Sequence, residues 1–423
     1  MKSILRRILF TLAQGVLRRY HPEIIAITGS AGKTSTREAI ATVLAPAFSL
    51  RQSAKNYNTE IGVPLAILGS ESGGRSAFAW LGVIVKGVML VIKKHDFPDV
   101  LVLEYALDHP GDIAYLVRLA KPHIAVLTTI GEVPVHVEAF RSREELVREK
   151  AALVTQLTKE DVAIVNADDP SVKAMARKTK AKVVTYGRTT GADIRLVSLN
   201  FKGLEQGIQM KVAHGESTVP VSLPHLIGEH QVYAVLAAIA VGVVKGVNLV
   251  AIADALARYE SPPGRMRVIS GIKGTTIIDD SYNSSPDAAL AALETLRSVE
   301  ETHGRKIAVF GDMAELGSLT EKAHHDVGER TGEVADALVT VGAKAKAMRE
   351  AARDAGMAED QIFSFDNAES AGLFLQDFIV TGDLLLVKGS QVVRMEKIVK
   401  ELMAEPLRAG ELLVRQDADW AQQ

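Results

Sequence analysis

Apolar and polar positions change period several times along this chain, and each change marks a different kind of element. Residues 1–20 carry apolar side chains at helical spacing among Lys2, Arg6, Arg7, Arg18 and Arg19, which predicts a basic amphipathic helix. From residue 23 the pattern becomes one of short apolar runs alternating with helical stretches. Runs at 23–28, 100–104, 123–129, 161–166 and 182–186 read as strands. Stretches at 33–44, 111–120 and 142–157 read as helices. Such alternation is the signature of an α/β fold with a mostly parallel sheet. Residues 192–223 alternate apolar and polar positions around Lys202-Gly203 and His214-Gly215, and predict an antiparallel β insertion. Helical spacing returns at 229–245 and 249–259.

Ser261-Pro262-Pro263-Gly264 breaks the pattern and is the best domain boundary. Beyond it the alternation restarts, with strands expected at 275–279, 306–310, 337–341 and 384–388. That predicts a second, smaller, Rossmann-like α/β unit. The division is therefore a basic helix at 1–22, a central domain at 23–262 and a C-terminal domain at 263–423. The last ten residues read as frayed.

Composition narrows the classes. The 423 residues allow two or three domains at roughly 150 residues each. Hydrophobic residues make up 47% and the formal net charge is −2, so a core is affordable and a polyanion-binding surface is disfavoured; no nucleic-acid partner is expected. There is no cysteine, which excludes disulfides, thiolate metal sites and thiol nucleophiles and is compatible with a reducing cytoplasm. The segment 77–92 is apolar but has Lys86 in its middle and Lys93 and Lys94 after it. Neither it nor 1–20 reads as a membrane span. Both either pack on the core or lie in a membrane interface as basic amphipathic helices.

The chemistry centres on Thr28-Gly29-Ser30-Ala31-Gly32-Lys33-Thr34-Ser35, which follows an apolar run and opens a helical one. Strand, glycine loop and helix is the context of a phosphate-binding loop: the glycines let backbone N–H groups face an anion, and the helix N-terminus adds positive charge. Lys33 suits the β/γ-phosphates and Thr34 suits Mg²⁺. Ile27 stands where the common P-loop pattern has glycine. Glu104 ends a buried strand, where α/β sheets gather ligands, and is placed to ligate Mg²⁺. His136 falls in a loop and Lys150 in a helix fourteen residues on; alone, each is unremarkable. Three polar loops of the second unit follow strands, at Asp279-Asp280-Ser281-Tyr282-Asn283, Gly311–Gly317 and Lys388-Gly389-Ser390, and Arg265 stands at the hinge.

Taken in order, these segments resemble the Mur ligase family, the ATP-dependent amide-bond ligases of peptidoglycan precursor synthesis. Asn58-Thr59-Glu60-Ile61-Gly62-Val63-Pro64-Leu65, His136-Val137-Glu138, Asn166-Ala167-Asp168-Asp169, Gly228-Glu229-His230 and Pro263-Gly264-Arg265 extend the match over roughly 23–400. The resemblance implies that Gly29, Ser30, Ala31, Gly32, Lys33, Thr34 and Ser35 hold the ATP phosphates. It implies that Thr34 and Glu104 bind one Mg²⁺ and His136 a second, with Lys150 carbamylated. His230 and Gln231 would face adenine, Arg265 a phosphate across the cleft, Asp280 the ribose, and Lys388 the incoming amine. The implied reaction joins a muramoyl-peptide carboxylate to an amino acid or a dipeptide such as D-Ala-D-Ala through an acyl phosphate.

The chain departs from the family pattern in three places. A His-Asn pair reads His230-Gln231, and an Asn-Ala-Asn-Pro run reads Asn283-Ser284-Ser285-Pro286. Only about 22 residues precede the first strand, so the family's N-terminal substrate domain is expected to be absent. That expectation and the two basic apolar segments keep open a ligase acting on a lipid-linked or polymeric carboxylate. A nucleotide-binding scaffold without turnover is the further alternative. The expected substrates are cell-wall precursors, the expected site of action is the cytoplasm or the inner membrane face, and a monomer is favoured.

Overall fold

The computed structural model describes residues 2–53, 57–131, 140, 142–300, 304–416 and 420. Its larger sheet has nine strands: β1 (Glu23–Thr28), β2 (Leu50–Gln52), β3 (Val100–Glu104), β4 (Ile124–Leu127), β5 (Val162–Asn166), β6 (Lys182–Gly187), β7 (Ile194–Phe201), β8 (Ile208–His214) and β9 (Ser217–Leu223). Their order is β2-β3-β1-β4-β5-β6-β7-β8-β9. Pairings from β2 to β7 are parallel; β8 and β9 join antiparallel. The strand order reverses at β1, which opens a crevice at its C-terminal end.

Helices cover both faces of β1, β3, β4 and β5, so their side chains are buried whichever way they point, while β7 to β9 expose one face. Ile25 and Ile27 face α2 (Lys33–Leu44) and α8 (Val232–Val244), while Ile24 and Ala26 face the opposite core. That opposite core is completed by α1 (Lys2–Tyr20), α3 (Gly62–Leu68), α4 (Ala77–Ile92), α5 (Asp112–Leu119) and α6 (Arg143–Thr155), with α7 (Pro170–Ala176) beside them. Helix α1 buries Leu9, Ala13 and Val16, one stripe at helical spacing.

A second sheet begins at β10 (Arg267–Ser270) and continues with β11 (Thr276–Asp280), β12 (Lys306–Gly311), β13 (Ala337–Val341), β14 (Ile362–Phe365) and β15 (Leu384–Lys388). Its order is β10-β11-β15-β12-β13-β14, parallel except for β10. Register places Asp280 of β11 beside Lys388 of β15.

Two expectations change. Residues 192–223 are antiparallel as predicted, but they are not a separate insertion: β7 pairs with β6, and the hairpins extend the larger sheet. The C-terminal residues do not all fray. Arg415 is packed against Tyr282 and paired with buried Glu396 at 3.0 Å, so 413–416 dock on the second unit. Strands β2, β10 and β14 are not among the expected elements, because each is only three or four residues long and partly exposed, too short a run to stand out.

Candidate active site

The loop between β1 and α2 is held in shape by the end of β4. Ser30 N–H donates to Thr129 O at 2.7 Å, and the Thr128 hydroxyl donates to Ala31 O at 2.7 Å. Gly29 has no room for a side chain, since a Cβ there would run into the Thr128 hydroxyl. Gly32 precedes α2 at φ 79°, a left-handed conformation suited to glycine, and no side chain caps the helix. The first-turn N–H groups therefore face the crevice without a protein cap, as an anion site requires.

Two lysines converge behind this loop. Lys33 Nζ donates to Gly29 O at 2.8 Å, and Lys150 Nζ, from buried α6, donates to the same carbonyl at 3.0 Å. Burial pushes Lys33 down to about 8, with Arg265 adding to the fall and Glu104 and Asp108 opposing it. Burial pushes Lys150 well below the ordinary lysine range, and the Lys33 charge pushes it further. The sequence places a lysine in the α6 helix; only the fold aims it at the loop.

Glu104 ends β3, which pairs beside β1, with Glu104 level with Ile27. One carboxylate oxygen lies 3.3 Å from the Thr34 hydroxyl, which donates to it. The other is 2.9 Å from Arg37, a buried arginine that also meets Glu38 at 2.5 Å. Sequence reasoning missed Arg37. Its spacing, four residues after Lys33 and three after Thr34, puts it on the same helix face, but nothing local pairs it with Glu104. His136 lies outside the described residues.

The second unit supplies the opposite wall. Arg265 stacks its guanidinium on the Tyr282 ring, 3.9 Å from the centroid, and its buried Nε has no hydrogen-bond partner among the described residues. Asp279 accepts from Gly264 N–H and Ser281 N–H, both at 3.1 Å, which ties the 262–265 segment to the end of β11. Burial raises that carboxyl to about 6, against those hydrogen bonds. Lys388 and Asp280 form a buried pair at 2.5 Å, and Lys388 also donates to Asn283 O at 3.0 Å. Asp280 is thus engaged by Lys388, and Lys388 by Asp280. His230 is pushed down to about 4 by burial, with Asp280 opposing and Lys388 reinforcing. Gln231 Nε2 lies 3.4 Å from its ring. Ser35, Tyr233, Arg265 and the Asn283–Ser285 loop join these groups around a cleft of about 260 Å³. Asp168 and Asp169 prove structural: Asp168 accepts from Tyr233 and the 188–189 backbone, and Asp169 caps α7.

A pinned glycine loop with an open helix N-terminus, facing basic and acidic groups of a second α/β unit, defines a two-unit P-loop enzyme that handles a nucleotide. Comparison with known proteins carries this further. The family model described as Mur ligase middle domain matches residues 87–242, and that described as Mur ligase, glutamate ligase domain, matches 264–391. The chain is 31% identical over 403 residues to the UDP-N-acetylmuramoyl-tripeptide–D-alanyl-D-alanine ligase of Mycobacterium tuberculosis, covering 90% of this chain and 73% of that one. It is 29% identical over 398 residues to the Bacillus subtilis protein of the same name, covering 94% and 79%. The crystal structure of the MurF ligase from Thermotoga maritima in complex with ADP superposes with a TM-score of 0.76 at 27% identity, covering 94% and 83%. The chain belongs to the Mur ligase family, and it is an ATP-dependent, ADP-forming ligase of carbon–nitrogen bonds.

Proposed function

We propose that this enzyme joins a muramoyl-peptide carboxylate to the amine of D-Ala-D-Ala or a similar dipeptide, in the cytoplasm. The convergence of Lys33, Lys150, Thr34 and Glu104 at the uncapped start of α2 carries the phosphoryl-transfer chemistry, and the likeness to D-alanyl-D-alanine ligases supports the choice of substrates. A carboxylate oxygen attacks the γ-phosphorus of ATP, and ADP leaves. The amine nitrogen attacks the acyl carbonyl, loses a proton, and phosphate leaves with the C–O bonding pair. Lys33 and the first-turn N–H groups hold the β- and γ-phosphates and neutralise the charge that builds on them. Arg265 reaches the phosphates from the second unit when Pro263–Arg265 acts as a hinge, and closure keeps water from the acyl phosphate.

The donors near α2 fit Mg²⁺: Glu104 and Thr34 offer hard oxygens. When bound, that ion would lower the charge of the phosphate oxygens. Arg37 holds Glu104 in place for this. Lys150 fits the same site as a carbamate. Burial lowers its basicity and so favours the neutral amine, the form that would add to CO₂ with release of one proton and become an oxygen donor. His136 is assigned the second ion by family resemblance. His230 and Gln231 take the adenine side, and the Lys388–Asp280 pair takes the ribose and amine side. A second reading, the same chemistry on a lipid-linked carboxylate, is favoured by the exposed apolar face of α4.

The test is ADP release across pairs of carboxylate and amine substrates, with Lys150→Arg and Lys150→Ala beside the wild type. Release should require both substrates, and both variants should lose most activity. An active Lys150→Arg enzyme would refute the carbamate, and release on a lipid-linked acceptor alone would refute the soluble substrate.

A further inference from the structure

Helix α4 is seated on the protein along one side only. Ser76 caps its start, accepting from Ala79 N–H at 3.2 Å. Gly87 lets Leu12 of α1 approach closely, and Gly15 of α1 does the same for Val91. Tyr20 closes the far end, with its hydroxyl 3.1 Å from both Leu90 O and Lys93 O, and its ring stacked on Phe97. The helix is therefore fixed, yet only Val83, Gly87 and Leu90 of its sixteen residues are buried.

The opposite side is apolar and open. Phe78 is 87% exposed, Ile92 70%, Leu81 55% and Val85 52%, with Val88 and Met89 beside them. At 100° per residue these six fall in one stripe about 100° wide, and about 21 Å long at 1.5 Å per residue. The helix is too short to cross a bilayer, and among the described residues no helix is long and apolar enough to do so. A stripe of this kind can lie in an interface.

The charge around it is one-sided. Residues 2–20 and 72–95 hold nine lysines and arginines and no aspartate or glutamate, with exposed Glu71 and Asp96 just outside, in a chain whose net charge is −2. Arg6 is taken by Glu60. Arg75 precedes the stripe, and Lys93 and Lys94 follow it; all three are exposed, with no acidic partner among the described residues. Basic groups at both ends of an apolar stripe match the two layers of an anionic membrane surface, acyl region and headgroups. A second copy of this chain matches poorly, because a two-fold contact would set like charge against like charge.

We infer that the α1–α4 face is a peripheral membrane-docking surface that lays the α4 stripe into an anionic lipid bilayer. It is independent of the nucleotide site, and the family model for the middle domain begins only at residue 87, inside α4.

The experiment is co-sedimentation of the full chain with vesicles of phosphatidylglycerol and phosphatidylcholine, against vesicles of phosphatidylcholine alone. Binding should appear with the anionic vesicles and fall as salt rises. Val85→Asp with Leu81→Asp should abolish it. Lys93→Gln with Lys94→Gln should weaken it about 30-fold, at roughly fivefold per charge near the surface. Melting temperature and ADP release in solution should be unchanged in both variants. Absence of binding to anionic vesicles at low salt overturns the inference. So does equal binding to both vesicle types, or a lipid-indifferent dimer that Val85→Asp converts to monomer.

Discussion

Replacing Lys33 by methionine should abolish ADP release and yet stabilise the nucleotide-free protein. The ammonium of Lys33 is shut in behind the loop, and burial lowers its pKa from 10.5 to about 8. At 1.36 kcal/mol per pH unit that is roughly 3 kcal/mol of unfavourable charge burial at neutral pH. The residue is only partly buried, so water in the cleft screens the charge and trims the figure to about 2 kcal/mol. Methionine keeps the stem and removes the charge. It leaves no orphan acceptor, because Gly29 O retains Lys150 Nζ at 3.0 Å. The sign with pH follows. Between about 8 and 10.5 the unfolded chain binds the Lys33 proton and the folded chain does not, so wild-type stability rises across that window. The gap between variant and wild type should therefore be full below pH 8 and close towards pH 10.5. Urea unfolding of both proteins from pH 7 to 10.5 measures it, with ADP release beside it. ATP should stabilise the wild type and not the variant, since the phosphates supply the charge that Lys33 lacks. A Lys33→Met protein less stable than wild type at pH 7, or a gap that widens with pH, would refute the reasoning.

Two further predictions rest on neighbouring groups. Arg37→Met leaves the buried Glu104 carboxylate without its cation and should cost about 3–5 kcal/mol in urea unfolding, while the double change with Glu104→Gln should recover most of it. His230, held down to about 4, stays neutral while the unfolded chain protonates near 6.5, so its share of stability is full above 6.5 and is lost as pH falls towards 4. His230→Gln should make that acid loss shallower by about 2 kcal/mol after allowance for partial exposure, read by unfolding from pH 7 to 4.

Much of this protein is legible in its sequence because the signals are local. The alternation of apolar runs and helical stretches predicts two parallel-sheet units, since strands buried on both faces must be apolar throughout. The glycine loop is legible because Gly29 and Gly32 meet backbone requirements within four residues of Lys33. Ser76 and Lys93 bracket α4 where the apolar run itself starts and stops. Non-local pairings were not legible. Strands β2, β10 and β14 exist because longer neighbours offer unpaired edges, and nothing in three or four residues announces that. The meeting of Lys33 and Lys150 on one carbonyl joins positions 117 residues apart in the chain, through the placement of α6 against the loop. Arg37 reads as an ordinary helix arginine until β3 brings Glu104 to it. Which residues carry charge and which segments are apolar can be read from the chain alone. Which charges come to lie together and which apolar face of α4 is left uncovered follow from the packing of distant segments, because both depend on contacts that no local period encodes.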